Sequence, residues 1–323
     1  MILGIGNSGS YELEAFQSVL TELRKNGHDA ILFRQDKCLE KDFLSFEIKS
    51  NRCLFFVYVD GKKYDVNNFH AIWYMKPMLP DILLNFNPPE YRQLLAKSFL
   101  QMRKSIWFLF GHKNWINNPL ACDTMENKIL QLKIASEVGF HIPDTVITYN
   151  PDDVRDFYKK NQKKIIVKLL TSSSIKGKII GTNIVKSGHL DKIDSVKMSP
   201  SIFQALILKE YELRITIVGK KIFAAKIYSQ EDEGTSIDWR RKPKVNDFDV
   251  RMETTRLPPE IENLVFKFME RSGLKFGCID MIFTPDKKYV FLEINPNGQW
   301  YFVQLRTGEE IALAIADLLI FGR

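Results

Sequence analysis

The sequence contains little cysteine. Four cysteines occur among 323 residues, Cys38, Cys53, Cys122 and Cys278, and no two of them form a C-x-x-C pair. This scarcity and spacing argue against a structural zinc site and against a disulfide framework. We therefore expect reduced thiols in a cytoplasmic protein.

Long apolar runs and blocks of one charge sign are also missing. No stretch approaches the ~18 consecutive apolar residues of a membrane span, and the first residues lack the basic start and apolar core of a signal peptide. We expect neither secretion nor a membrane segment. The net charge of +7 is dispersed along the chain. Dispersed charge without interleaved aromatic residues argues against a nucleic-acid partner and suits nucleotides or acidic peptides.

The chain is long enough to bury two or three small cores. Its strand and helix patterns alternate, which predicts an α/β class built from α+β lobes. We place the lobes at residues 1–118, 119–205 and 206–323. Near the start of the second lobe, Asp123 is predicted to cap a helix, with Glu126 reaching back to complete a capping box.

A glycine-rich turn lies near the start of the sequence. Residues 4–9 match the G-x-G-x-x-G fingerprint, and a helix is predicted over residues 13–25. A dinucleotide site would also need an acidic residue at the end of the second strand. Asp29 precedes that strand and Asp36 lies beyond it, so a tight turn is the favoured interpretation and a dinucleotide site is the alternative.

A predicted hairpin in the third lobe carries two acidic residues. If Thr284 pairs with Tyr289, Asp280 lies opposite Glu293, and Asn295 shares their face because side chains alternate. Carboxylates that face each other across a ladder repel, and a Mg²⁺ ion bound by hard oxygen ligands would relieve this. The alternatives are a solvated face with unrelated acids and a one-residue slip that separates them.

Three basic residues stand out from their surroundings. Lys168 lies in the otherwise apolar stretch 165–170, where a buried ammonium needs an anion such as a nucleotide phosphate. The alternative is a surface-facing residue on an edge strand. Lys128 is early in its helix, and Arg214 shares a strand face with Glu212. Each of these alone is compatible with a solvated charge or a salt bridge.

Taken in order, these lysines, the arginine and the acidic face resemble the ATP-grasp fold. The resemblance implies an N-terminal pre-grasp domain, with ATP and two Mg²⁺ ions held between a central lobe and a C-terminal lobe. It also implies Asp280, Glu293 and Asn295 as metal ligands, and Lys168 and Arg214 as catalytic residues. The nucleotide-binding residues that it implies are Lys128, Lys168, Gln204, Ala205, Leu206, Glu212 and Arg214.

A closer resemblance is to the graspetide synthetases, the microviridin-type maturases that crosslink ribosomal peptides. The shared pieces are Ile72-Trp73-Tyr74 with Lys76-Pro77, Trp115-Ile116-Asn117 with Pro119, Asn127-Lys128 with Gln131-Leu132, Glu212-Leu213-Arg214, Asp238-Trp239-Arg240 and the run 293–300, which is the most specific. One departure is Met75-Lys76, where two arginines are expected before the proline.

This resemblance implies an ATP-dependent carboxylate ligase. Its substrate would be a ribosomal precursor peptide with a leader and a core rich in Thr, Asp and Glu. An Asp or Glu side chain would be phosphorylated, and a Thr, Ser or Lys side chain would then form an ester or amide crosslink. Arg240, Trp239 and Asn297 would bind the substrate carboxylate, with Arg240 also catalytic. The leader is expected near 177–199, where 179–185 is predicted to form a hairpin.

Other functions remain open from the sequence. One is a ligase that adds free amino acids to a carboxylate of a protein or small molecule. A nucleotide-binding module without turnover is a second, and retention of the phosphate and metal residues argues against it. A homodimer is compatible with the sequence, which determines neither the oligomeric state nor the choice between ester and amide.

Overall fold

A computed structural model describes residues 1–171, 174–175, 178–179, 181–240 and 250–322. The helices are α1 Ser10–Lys25, α2 Asp81–Leu84, α3 Arg92–Phe110, α4 Pro119–Met125, α5 Lys128–Val138, α6 Pro151–Lys160, α7 Ser187–Leu190, α8 Pro259–Ser272, α9 Tyr301–Thr307 and α10 Ile311–Phe321. The strands are β1 Ile2–Gly6, β2 Ala30–Arg34, β3 Phe43–Lys49, β4 Arg52–Val59, β5 Lys62–Asp65, β6 Ala71–Tyr74, β7 Asn114–Ile116, β8 Thr145–Thr148, β9 Ile165–Leu169, β10 Ser174–Ile175, β11 Lys178–Ile179, β12 Asn183–Ile184, β13 Ser201–Ala205, β14 Tyr211–Val218, β15 Lys221–Ile227, β16 Met252–Thr255, β17 Phe276–Phe283 and β18 Tyr289–Asn295.

The first lobe is built on a parallel sheet in the order β2-β1-β6-β7, beside an antiparallel sheet of β3, β4 and β5. The glycine-rich turn connects β1 to α1. A Cβ at Gly4 would come within 2.8 Å of Phe16, so this glycine lets α1 pack closely on the sheet. The Ser8 N–H donates to both carboxylate oxygens of Asp36, at 2.9 and 3.1 Å. This donor is thus satisfied within the protein, which favours the tight-turn interpretation.

The central sheet has the order β12-β9-β13-β8. Strand β9 pairs on both sides, so Lys168 lies on an interior strand and the edge-strand alternative is wrong. The predicted hairpin at 179–185 is also wrong, because β11 pairs with β10 whereas β12 pairs with β9. Gly177 and Ile180, which fall within the stretch 177–199 expected to bind the leader, lie outside the described residues.

The C-terminal sheet has the order β16-β15-β14-β17-β18, with β14 buried along its whole length. Its cores are shared with the first lobe. Helix α1 packs on α10, and one cluster joins Val19 and Trp73 of the first lobe to Phe276 and Leu319 of the third. The central sheet and α6 have a separate small core that includes Val154 and Phe203.

The helix that carries Lys128 starts later than predicted. The Asn127 side chain caps α5 by accepting hydrogen bonds from the backbone N–H groups of Ile129 and Leu130. The predicted capping box at Asp123 is wrong, because Asn118 caps a separate short helix, α4, that contains Asp123. Helix α5 packs on α8 and β18, away from the central sheet. Across the described ranges, no helix has both the length and the apolar character that a membrane crossing requires.

Candidate active site

Two clefts meet beside the last strand of the C-terminal sheet. The first lies between the central and C-terminal sheets and is lined by Lys168, Gln204, Glu212 and Asp280, among others. The second lies where the three lobes meet and is lined by Lys76, Lys128, Arg214, Asn297 and Phe302, among others. Trp239, Arg240 and Glu293 line both clefts. The residues selected from the sequence therefore converge on one region.

The acidic face forms through a register that differs from the predicted one. Phe283, rather than Thr284, pairs with Tyr289, so the predicted turn pairing is wrong by one residue. A bulge between the Asp280 and Met281 pairs shifts the register back, and Asp280 lies opposite Glu293 as predicted. The bulge thus compensates for the error at the turn.

Both carboxylates are held by cations of the protein. Lys128 Nζ lies 2.8 Å from Glu293 Oε2, and Arg214 Nη1 lies 2.9 Å from Asp280 Oδ1. Asp280 is only 7% exposed, so a solvated face with unrelated acids is excluded. Burial by itself would raise the pKa of Glu293, but the charges of Lys128 and Lys168 outweigh it and lower this pKa to about 2.

The donor chemistry of this face fits a hard divalent cation. Asn295 Nδ2 lies 3.4 Å from Asp280 Oδ2, so an amide adjoins the two carboxylates. Half a turn of that amide would present its oxygen instead. In the described part of the chain, no three His, Cys, Asp or Glu side chains form a metal-binding group. A Mg²⁺ ion would therefore need phosphate oxygens or water to complete its shell, as Mg²⁺ usually does.

Arg214 is a buried cation and Lys168 a partly buried one, and both have donors to spare. Burial lowers the pKa of Lys168, which forms no ion pair within the residues that the structure describes. Arg214 Nη2 donates to the Gln299 carbonyl at 2.6 Å, whereas its buried Nε has no acceptor in the described part of the protein. Gly298 lies against this guanidinium, because a Cβ there would come within 2.9 Å of Nη2. An anionic ligand would satisfy both residues.

The end of β13 and the residue that follows it line the first cleft. Gln204, Ala205 and Leu206 lie along it, and Gln204 Nε2 donates to Thr145 Oγ1 at 3.0 Å. Burial raises the pKa of Glu212, whose carboxylate accepts a 2.6 Å bond from Lys209. Lys209 was not selected from the sequence, because a lysine three residues from a glutamate in a linker carries no distinctive pattern.

Arg240 stands at the junction of the two clefts. Its Nε and Nη2 donate to the two carboxylate oxygens of Asp238 at 2.8 and 3.1 Å, and its Nη1 lies 3.8 Å from Glu293. The adjacent Trp239 ring packs against Phe302 at a centroid distance of 5.5 Å. Asp238 thus fixes one edge of the guanidinium, while Nη1 points toward the acidic face.

Two buried amides hold the acidic face in place. Asn117 Nδ2 donates to the carbonyls of Phe276 and Pro296 at 2.7 Å each, and Asn117 Oδ1 accepts from the N–H groups of Lys275 and Phe276. Gln131 bonds both the N–H and the carbonyl of Ile294 at 3.0 Å. Asn117 and Gln131 both belong to the motifs quoted above for the family resemblance, but a motif does not reveal these hydrogen bonds to the hairpin.

Comparison with known proteins identifies a family and a curated relative. The family model for the RimK-like ATP-grasp domain matches residues 125–319. A probable alpha-L-glutamate ligase from Vibrio parahaemolyticus is 21% identical over 213 residues, which cover 63% of this chain and 66% of that protein. The match therefore spans just under two thirds of that relative's length.

Two solved structures are similar over nearly the whole chain. The RiPP-associated ATP-grasp ligase of Chryseobacterium gregarium, in complex with ADP and a leader and core peptide, superimposes with a TM-score of 0.87 at 27% identity, covering 100% of this chain and 97% of that one. The macrocyclase MdnC of Microcystis aeruginosa, bound with the precursor peptide MdnA, gives a TM-score of 0.85 at 27% identity, covering 99% of each chain.

Proposed function

The chain belongs to the RimK-like ATP-grasp family, and from this premise we propose that it is a peptide-crosslinking carboxylate ligase. It would phosphorylate Asp or Glu side chains of a ribosomal precursor peptide and join them to Thr, Ser or Lys side chains, giving a macrocyclic graspetide. ATP and newly made ribosomal peptide are both cytoplasmic, so we propose a cytoplasmic reaction.

The observation that carries this proposal is the likeness, over nearly the whole chain, to two ligases that were solved with bound peptides. The charge of the second cleft supports it. Among the described residues, five cationic side chains and two carboxylates line that cleft. An anionic peptide is the ligand that such an excess of positive charge favours.

Each residue of the site has a proposed role. Lys128 and Lys168 bind the nucleotide phosphates, the segment Gln204 to Leu206 binds adenine, and Glu212 contacts the nucleotide. Asp280, Glu293 and Asn295 would hold two Mg²⁺ ions, which would supply charge neutralisation at the phosphates. Arg214 stabilises the transferring phosphoryl group, because a buried guanidinium near the acidic face needs no reorganisation to do so.

The reaction balances as two displacements. A carboxylate oxygen of the peptide forms a bond to the γ-phosphorus, and ADP leaves. A hydroxyl or amine of the same peptide then attacks the acyl carbon, phosphate leaves, and the nucleophile loses its proton. Arg240 orients the carboxylate, with Trp239 and Asn297 beside it. The net change in the peptide is the loss of one water per crosslink.

We also propose lobe boundaries at 118/119 and 205/206. The leader would dock on the central lobe near residues 177–199. In this arrangement the leader contacts the central lobe while the core reaches the second cleft. The oligomeric state, including a homodimer, is open to direct measurement in solution.

A second candidate is the addition of free amino acids to a carboxylate. The name of the curated relatives, probable alpha-L-glutamate ligase, favours it. Mass spectrometry separates the two functions, because crosslinking removes water from the peptide whereas ligation adds the mass of an amino-acid residue.

The experiment is to incubate the chain and Mg-ATP with any short peptide rich in Thr, Asp and Glu that a neighbouring open reading frame encodes. We expect loss of one water per crosslink, release of one ADP per crosslink, and no reaction when EDTA removes Mg²⁺. Mass gain with free glutamate instead would favour the second candidate. ADP binding without turnover on any acceptor would indicate a nucleotide-binding module.

A further inference from the structure

Lys76 has a backbone conformation that its sequence position disfavours. Its φ is +56°, in the left-handed region that side-chain-bearing residues rarely adopt. It also precedes Pro77, and a residue before proline is normally extended. Backbone outliers of this kind persist only where the surrounding structure enforces them, and they concentrate at functional sites.

Two side chains from other elements enforce this conformation. Asn7 Nδ2 donates to the Lys76 carbonyl at 3.2 Å, and Asn7 Oδ1 accepts from the Met78 N–H at 2.7 Å. Arg103 Nη1 donates to the Pro77 carbonyl at 2.6 Å. Asn7 is buried in the glycine-rich turn after β1, so the turn that resembles a dinucleotide fingerprint serves here to clamp residues 76–78.

The clamped segment places Lys76 in the second cleft, where its side chain faces Glu126. Lys76 Nζ lies 2.8 Å from Glu126 Oε1, and the two side chains are 57% and 46% exposed. An ion pair this exposed contributes little to stability, because water screens it and both side chains lose freedom. An incoming carboxylate can therefore replace Glu126 at small cost.

Resting on the proposed function, we propose that Lys76 binds a carboxylate of the peptide substrate other than the one that is phosphorylated. Glu126 is the intramolecular competitor that this carboxylate displaces. The ligand is an acidic side chain of the peptide core, and the contact makes Lys76 a specificity-determining residue of the second cleft.

The test compares steady-state kinetics of four variants with the wild type, using the acidic peptide that the wild type crosslinks. Lys76→Asn removes the charge while keeping a residue that tolerates the left-handed conformation. Lys76→Arg keeps the positive charge. Glu126→Gln removes the competitor. Lys63→Gln is the matched control, because Lys63 forms a similarly exposed pair with Glu47 in the same lobe.

We expect Lys76→Asn to raise the KM for peptide about fivefold, with kcat and the KM for ATP within about twofold. Lys76→Arg should recover most of the loss, and Glu126→Gln should lower the KM for peptide. A set of peptides, each with one Asp or Glu changed to Asn or Gln, locates the carboxylate that Lys76 binds. On the peptide that lacks this carboxylate, Lys76→Asn should cause no further rise in KM. Lys63→Gln should match the wild type.

The opposite pattern would overturn the inference. If Lys76→Asn and Glu126→Gln both raised the KM for ATP, the pair would serve to position Lys128, two residues beyond Glu126. An equal loss on every peptide, or no loss at all, would also contradict it. These outcomes presuppose crosslinking by the wild type; its absence would instead count against the proposed function.

Discussion

At the scale of single residues, Asp280 and Glu293 carry the prediction that tests the site most directly. We expect Asp280→Asn and Glu293→Gln each to reduce ATP turnover by about 10²-fold or more, because in the proposed site each removes a charge that would face the phosphates and the divalent ion. ADP release in the presence of peptide is the measurement. Each substitution keeps an oxygen that can accept from Arg214 or Lys128, which limits the loss of stability.

Asp286→Asn is the matched control for this pair. Asp286 lies in the turn of the same hairpin and forms an exposed ion pair with Lys288. Its removal should leave turnover unchanged. Full activity in either Asp280→Asn or Glu293→Gln would contradict the proposed metal site, because the substituted carboxylate would not be needed to bind the metal.

Arg240 has a separable role. We expect Arg240→Ala to reduce crosslinked product about 10²-fold while the KM for ATP stays within about threefold, because in the proposed mechanism the guanidinium would orient the substrate carboxylate. Arg251→Ala provides the comparison, since Arg251 is also ion-paired, through Glu231 and Glu253, but does not belong to the lining of either cleft. Loss of ATP binding in Arg240→Ala would assign this residue to the nucleotide.

At the scale of elements, Asn117 joins the end of β7 to the hairpin that carries the acidic face. Asn117→Ala leaves two N–H groups and two carbonyls without their partner, and each buried polar group left unpaired costs about 1–3 kcal/mol. We expect a loss of about 3 kcal/mol in the free energy of unfolding, measured by urea denaturation.

Asn85→Ala is the control for Asn117, because Asn85 makes one exposed hydrogen bond to the Asp81 carbonyl. It should change the free energy of unfolding by less than about 0.5 kcal/mol. Equal stability of the two variants would mean that Asn117 does not connect the lobes in solution.

The hairpin also separates what the sequence can predict from what it cannot. Alternation of side chains places Asp280 and Glu293 on one face, and this was predictable. The turn register was not, because Phe283 pairs with Tyr289 and a bulge then restores the alignment. A bulge depends on how the strand packs against its neighbours, and residue spacing alone does not encode that.

The capping-box pattern selected the wrong residue as the start of the helix that carries Lys128. Asp123 followed by Glu126 satisfies the capping-box pattern, yet Asn127 caps the helix that carries Lys128. A helix begins where a side chain can accept hydrogen bonds from the free N–H groups of the first turn. Here the short helix Pro119–Met125 already includes Asp123, so Asp123 cannot cap the next helix. Long-range partners such as Gln131 could not be predicted, since their contacts lie more than 100 residues away in the sequence.

At the scale of the whole molecule, the central sheet with α6 has a small core of its own, whereas helices α4 and α5 share a core with the first and third lobes. We expect backbone amides of β9 and β13 to exchange hydrogen faster than those of β14 and β17. Mg-ADP should slow the exchange in the central lobe, because a ligand at 100 times its Kd stabilises the bound form by about 2.7 kcal/mol. Hydrogen exchange with mass spectrometry measures this.

Mg-GDP is the control for nucleotide selectivity and should protect the central lobe less. Uniform exchange across all four strands, with or without nucleotide, would contradict separate stability of the central lobe. Nucleotide protection that leaves β9 and β13 unchanged would show that the nucleotide does not contact the central sheet.

The division of the cores also bears on how such a protein can be recombined. Because the central core shares no buried residue with the other two clusters, a chimera that exchanges residues 145–205 between relatives keeps every other core contact intact. Exchanging the first lobe would instead require rewriting the face of α10 against which α1 packs. If the leader docks on the central lobe, grafting that one module would redirect the enzyme to a foreign precursor while preserving the crosslinking machinery.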